Sequence, residues 1–154
     1  MSHDSTSAAM DRLRIPLYAL AVLLVLHPVG DFVANVWPLR VGEVEWRYGV
    51  MGLLSGFLMT PMLGLAIAVG VGAVGGDRVL LKVLGWLSVV TGVLLLVLTV
   101  FFALEIIQFR PSVPTEGLGQ YDIGSWKAVI KHLITAPVII MLGRVALASA
   151  RLPR

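Results

Sequence analysis

The sequence predicts an all-α membrane protein: a bundle of four transmembrane helices with both termini cytoplasmic. Three observations carry that expectation. The 154-residue chain is 58% hydrophobic and only 14% charged, with a mean hydropathy of +0.92; an ordinary soluble domain is roughly half apolar and a quarter charged. It contains four apolar windows of the roughly 20 residues that a spanning helix needs. Its Lys and Arg residues gather at the ends of those windows, where membrane orientation and anionic lipid account for them. A water-soluble fold of this size has too much surface for its volume to hide so many apolar side chains.

The same numbers weigh against whole classes of function. A soluble enzyme, a nucleic-acid-binding module and a disordered tail all fit poorly. The net charge of +3 is not concentrated in any run dense enough to be a nucleic-acid patch. The expected partner is the lipid bilayer of the cell membrane, with a homo-oligomer or another membrane protein as further partners and no nucleic acid. The absence of cysteine removes disulfides, thiolate catalysis, Cys-ligated zinc and iron–sulfur clusters together.

In chain order, residues 1–12 are polar, carry His3 and read as a disordered cytoplasmic N-terminus. A single transmembrane domain follows over 13–150, and 151–154 form a cytoplasmic tail. Span one covers about 15–35. Arg12 and Arg14 precede its apolar run as in a signal peptide, but residues 27–34 offer no small-x-small cleavage site, so a retained helix is expected. Pro28 disfavours helical dihedrals at His27, which predicts a kink or break there. Span two covers 48–74 and should kink near Thr60-Pro61. Span three covers 83–107 and span four 128–148.

The connectors differ in kind. Gly75-Gly76-Asp77-Arg78 reads as a tight hairpin between spans two and three. Glu43, Glu45 and Arg47 alternate with Val44 and Trp46 and read as a short extended segment at the membrane surface. Residues 108–125, with Pro111, Pro114, Gly117, Gly119 and Gly124, read as an irregular surface loop.

Orientation follows from the cations near the span ends. Seven lie on one side: Arg12, Arg14, Arg78, Lys82, Arg144, Arg151 and Arg154. Five lie on the other: Arg40, Arg47, Arg110, Lys127 and Lys131. The richer side is assigned to the cytoplasm. Trp37, Trp46, Tyr48 and Trp126 mark the outer interface and Trp86 the inner one, as suits rings that are apolar but carry a polar N–H or O–H.

Helices in lipid associate through close backbone packing rather than hydrophobic drive. Span two carries Gly52, Gly56, Thr60, Gly64, Ala68, Gly72 and Gly76 at every fourth position, a ridge of small residues. The ridge serves packing within the bundle, or else an interface with a second copy or partner. On the packing reading, leucine at Gly56 or Gly64 is expected to lower stability. Span three offers a shorter small face: Gly85, Ser88, Gly92, Thr99 and Ala103. A faint repeat links Trp46-Arg47 with Trp126-Lys127 and Thr60-Pro61 with Thr135-Ala136-Pro137, although the spacings differ between the two copies.

Polar residues at membrane depth are costly and are therefore functional candidates. His27 and Asp31 stand one turn apart on span one. Glu105 lies near the outer end of span three, with Lys131 and His132 near the outer start of span four. In a bundle Glu105, Lys131 and His132 would meet Asp31 in one outward-facing polar cluster, able to take a proton, a metal ion or a small polar ligand. The alternative is structural: Asp31 pairs with Lys131 or His132, and Lys131 reaches to the interface. No metal site and no cofactor is expected, since no tight ligand motif is present. A haem held between His27 and His132 is a further arrangement that the residue types allow, if their depths match. No P-loop, H-E-x-x-H or G-x-S-x-G motif occurs, and no G-x-G-x-x-G follows a strand. The expected role is a non-enzymatic accessory or interaction subunit; the alternative is a small transporter or ion-coupled carrier using His27 and Asp31.

Overall fold

The computed structural model describes the backbone of residues 3–151 and the side chains of 12–151; expectations for residues 1–2 and 152–154 lie outside the described residues. The described residues are 90% helix, with no strand among them. Five α-helices follow in order: α1 (His3–Val36), α2 (Val44–Phe57), α3 (Met59–Gly75), α4 (Arg78–Phe109) and α5 (Leu118–Ser149). α1 begins inside the stretch that the sequence assigns to a disordered N-terminus. Arg12–Val36, Arg78–Ser112 and Thr115–Ser149 are each long and apolar enough to cross a membrane, and α2 with α3 qualifies as a further crossing when taken as one segment bent by 45°.

The bend falls at Leu58, three residues before Pro61. Pro61 has no N–H to offer the Phe57 carbonyl, and its ring crowds that turn. The helix restarts with Met62 donating to the Leu58 carbonyl at 3.3 Å. Pro28 acts differently: α1 runs through it without interruption, so the break predicted at His27 is not there. α1 lies chiefly along α3, and the proline costs it a single backbone hydrogen bond.

α4 and α5 form the most extensive helix pair, and small residues allow it. Gly85, Ser88, Gly92 and Thr99 are buried on α4, facing Thr135, Ala136, Gly143 and Ala146 on α5. Ala103, the last member of the face read from the sequence, is exposed. A Cβ added to Gly92 would stand 2.9 Å from the Ala136 carbonyl oxygen. The exterior has the opposite composition, with Leu23, Leu94, Val97, Ile134 and Met141 among many exposed large apolar side chains. Contiguous apolar surface on this scale is foreign to a soluble monomer and suits lipid.

The ridge on α2 and α3 is divided by the bend. Gly64 and Gly72 are buried: a Cβ on Gly64 would meet the Ala21 carbonyl oxygen at 2.7 Å, and one on Gly72 would meet Leu81 at 3.3 Å. Around Gly52 and Gly56 an added Cβ meets nothing within 4 Å, and Thr60 is exposed.

The α3–α4 hairpin closes as its residues dictate. Gly76 takes the left-handed conformation at φ 63°, a conformation that favours glycine. Asp77 caps α4 by accepting from the Leu80 N–H at 3.2 Å, and Arg14 reaches it from α1 at 3.3 Å. Two connectors depart from expectation. Residues 108–125 are largely helical rather than irregular: α4 continues to Phe109, 3-10 turns occupy Arg110–Ser112 and Thr115–Gly117, and α5 starts at Leu118. Arg110 clasps Asp122 with bonds of 3.0 and 2.9 Å across this turn. The stretch holding Glu45, Trp46 and Arg47 is not extended but belongs to α2, with the Trp46 indole N–H donating to the Val36 carbonyl at 3.2 Å.

Candidate functional site

The five polar candidates do not converge; the structure separates them into four places. His27 and Asp31 pair with each other, Nδ1 to Oδ2 at 3.2 Å, on the outward face of α1, where their side chains are 77% and 53% exposed. Asn35 continues the same line one turn on and donates to the Asp31 carbonyl at 2.8 Å. Beside them, Gly30 and Ala34 are also exposed. The α1 face away from the bundle therefore carries a polar line flanked by small residues, set among exposed Leu23, Leu26, Val29 and Val33.

Glu105 meets Arg47 instead. The guanidinium Nε and Nη2 donate to the two carboxylate oxygens at 2.5 and 3.2 Å, and Nη1 donates to the Val41 carbonyl at 2.8 Å. This forked contact joins α2 to α4 at the end of the molecule carrying the 110–117 turns. Beneath it lies an aromatic cluster. The Tyr48 ring centroid is 5.6 Å from that of Phe102, 5.2 Å from Phe109 and 5.0 Å from Tyr121. Its hydroxyl shares a 2.9 Å hydrogen bond with Ser125 Oγ, and the Tyr121 hydroxyl donates to the Ile106 carbonyl at 2.6 Å. The polar atoms here are satisfied within the cluster, which marks it as a lock between α2, α4 and α5.

His132 is fully buried on α5, edge-on to Phe102 at 6.0 Å, and neither ring nitrogen has a hydrogen-bond partner. It points inward while His27 points away from the bundle, so the two do not face one another as haem ligands would. Among the described residues no group of three His, Asp or Glu side chains is placed to hold a metal ion.

Lys131 stands in the fourth place, with Lys127, in a groove of about 500 Å³ between α2 and α5. Gly52 and Gly56, the two ridge members without close contacts, form its opposite wall. No family model, curated protein or solved structure matches the chain.

The sequence places Arg47 only among the outer-side cations and the surface segment, and gives Tyr121 no role. The signal for Arg47 was present: it and Glu105 flank successive antiparallel spans on the same side. Nothing in the spacing of Tyr121 distinguishes it, since its partner is a backbone carbonyl.

Proposed function

We propose that this chain is a four-span protein of the cell membrane with both termini cytoplasmic, acting as a non-enzymatic interaction subunit that docks through the outward face of α1. In this reading α2 and α3 together make one bent crossing, and the side with seven cations against five is cytoplasmic.

One observation carries the docking role: the His27–Asp31 pair lies on the outside of an apolar helix. Facing lipid, such groups pay for desolvation and leave hydrogen-bonding capacity unused. Two buried hydroxyls on α4 are treated differently. The Ser88 and Thr99 hydroxyls each donate to a carbonyl one turn back, at 2.5 and 2.6 Å. A second transmembrane helix laid on α1 would cover His27, Asp31 and Asn35, and Gly30 and Ala34 leave room for its backbone. In a side-by-side pair of identical chains each His27 would come within one turn of the other's Asp31. The carrier alternative uses His27 and Asp31; they stay paired but stand on the outward face of α1, and that placement favours the interaction reading.

The absence of native cysteine makes the test clean. Ala34→Cys labelled with a benzophenone maleimide should cross-link in native membranes, and the same label at the exposed Val90 of α4 should not. A product of doubled mass identifies a second copy; another mass identifies a different subunit. His27→Leu combined with Asp31→Leu should abolish the product. If Ala34→Cys gives no more cross-linking than Val90→Cys, α1 faces lipid and the proposal fails.

A further inference from the structure

We propose that the groove between α2 and α5 binds an anionic phospholipid, with the headgroup phosphate held by Lys127 and Lys131. The inference rests on the membrane assignment but not on the α1 docking face.

Lys127 and Lys131 are one helical turn apart, so they project into the groove as a like-charged pair that repels itself. No acidic residue lines the groove. The nearby acids are engaged elsewhere, Glu105 by Arg47 and Asp122 by Arg110. Neither lysine has an ion-pair partner among the described residues. Two uncompensated ammonium groups in one groove call for an anion, and a phosphate oxygen accepts from both.

The rest of the groove fits an amphiphile better than a free anion. Gly52 and Gly56 open its α2 wall, and at both an added Cβ meets nothing within 4 Å. Away from the lysines the lining turns apolar, with Leu53 and Phe57. Phe57 also lines a second cleft, of about 310 Å³, at the bend between α2 and α3. Pro28, Phe32, Leu58 and Pro61 help make that cleft almost wholly carbon-walled. Charge at one end, an open glycine wall and an apolar slot beyond Phe57 match a headgroup followed by an acyl chain. Lys127 and exposed Trp126 sit where the apolar run of α5 begins, the level at which headgroups lie.

The test is native mass spectrometry of the detergent-purified protein with dioleoylphosphatidylglycerol, dioleoylphosphatidylcholine or inorganic phosphate added. Wild type should retain one phosphatidylglycerol. Lys127→Gln combined with Lys131→Gln should weaken retention about 25-fold, which corresponds to about 1 kcal/mol per cation at a membrane surface. Gly56→Leu should also displace the lipid, with both charges intact; if that variant does not fold, the lysine variant decides. His27→Leu with Asp31→Leu should retain the lipid, because neither residue lines the groove. Equal retention by the lysine variant and wild type overturns the proposal. So does equal retention of phosphatidylcholine. Inorganic phosphate that competes the lipid away at equal concentration identifies a free-phosphate site and overturns the lipid assignment.

Discussion

Gly85 of α4 and Gly143 of α5 approach so closely that neither has room for a Cβ. One added to Gly143 would stand 2.7 Å from the Gly85 carbonyl oxygen, and one added to Gly85 would stand 3.0 Å from the Gly143 carbonyl oxygen. The contact is reciprocal and made with backbone, so no rotamer change relieves it. Gly143→Ala is expected to lower the thermal midpoint in detergent, with overpacking of about 1–3 kcal/mol outweighing the gain of up to about 1 kcal/mol in helix propensity. Gly70→Ala, where an added Cβ meets nothing within 4 Å, should leave the midpoint unchanged or raise it. A Gly143→Ala midpoint equal to that of Gly70→Ala would refute the close approach.

Gly64 and Gly56 occupy the same ridge but should respond differently to leucine. A side chain at Gly64 runs into the Ala21 carbonyl oxygen and into Leu24 and Val25 of α1. Gly64→Leu should therefore lose at least the roughly 1–3 kcal/mol of an overpacked interior. Gly56→Leu should melt close to wild type in lipid-free detergent. Equal destabilisation by the two would mean that α2 and α3 present one continuous packed face.

Arg47 and Glu105 predict a charge-order effect. Glu105→Gln keeps the shape but loses the ionic fork, and should lower the midpoint. Arg47→Glu should lower it further, by setting two carboxylates against each other. Combining Arg47→Glu with Glu105→Arg should recover most of the loss. A double variant no better than Arg47→Glu alone would show that the pairing contributes nothing beyond the individual side chains, the test that a double-mutant cycle supplies.

Tyr121 contributes through its hydroxyl and its ring, and two variants separate them. Tyr121→Phe removes the bond to the Ile106 carbonyl and should cost about 0.5–1.5 kcal/mol. Tyr121→Leu also removes the stack on Tyr48 and should cost about 0.5–1.5 kcal/mol more. Identical midpoints for the two variants would mean that the ring contact carries no energy of its own.

Helix class and the presence of helices long and apolar enough to cross a membrane were legible because they depend on apolar run length, a local property. The hairpin at Gly75-Gly76-Asp77 was legible for the same reason, since Gly76 and the Asp77 cap act within a few residues. What escaped was set by distant partners. Pro28 and Pro61 carry the same local disposition to kink, yet a helix break accompanies only Pro61, while α1 continues through Pro28. Residues 108–125 read as irregular from their Pro and Gly content, but the Arg110–Asp122 clasp and the Tyr121 hydroxyl fold them into helical turns. The polar candidates were recognised by type, whereas their grouping depends on how each helix is rotated about its axis. A rotation that sends Asp31 outward and His132 inward leaves no trace in hydropathy.

The seating of α1 on α3 has a consequence for biogenesis. A chain made from its N-terminus completes α1 before the surface that receives it has been synthesised. α2 offers α1 little contact, and the Asp77 that anchors Arg14 emerges only after α3. The first helix must therefore wait in the bilayer, with Ala21, Leu24 and Val25 uncovered, until Gly64 arrives. α4 and α5, by contrast, are consecutive and carry each other's complementary faces, so they can pair as soon as both are made. Assembly is thus ordered by topology: α4 and α5 find their partner in each other, whereas α1 stays open to other helices until α3 follows.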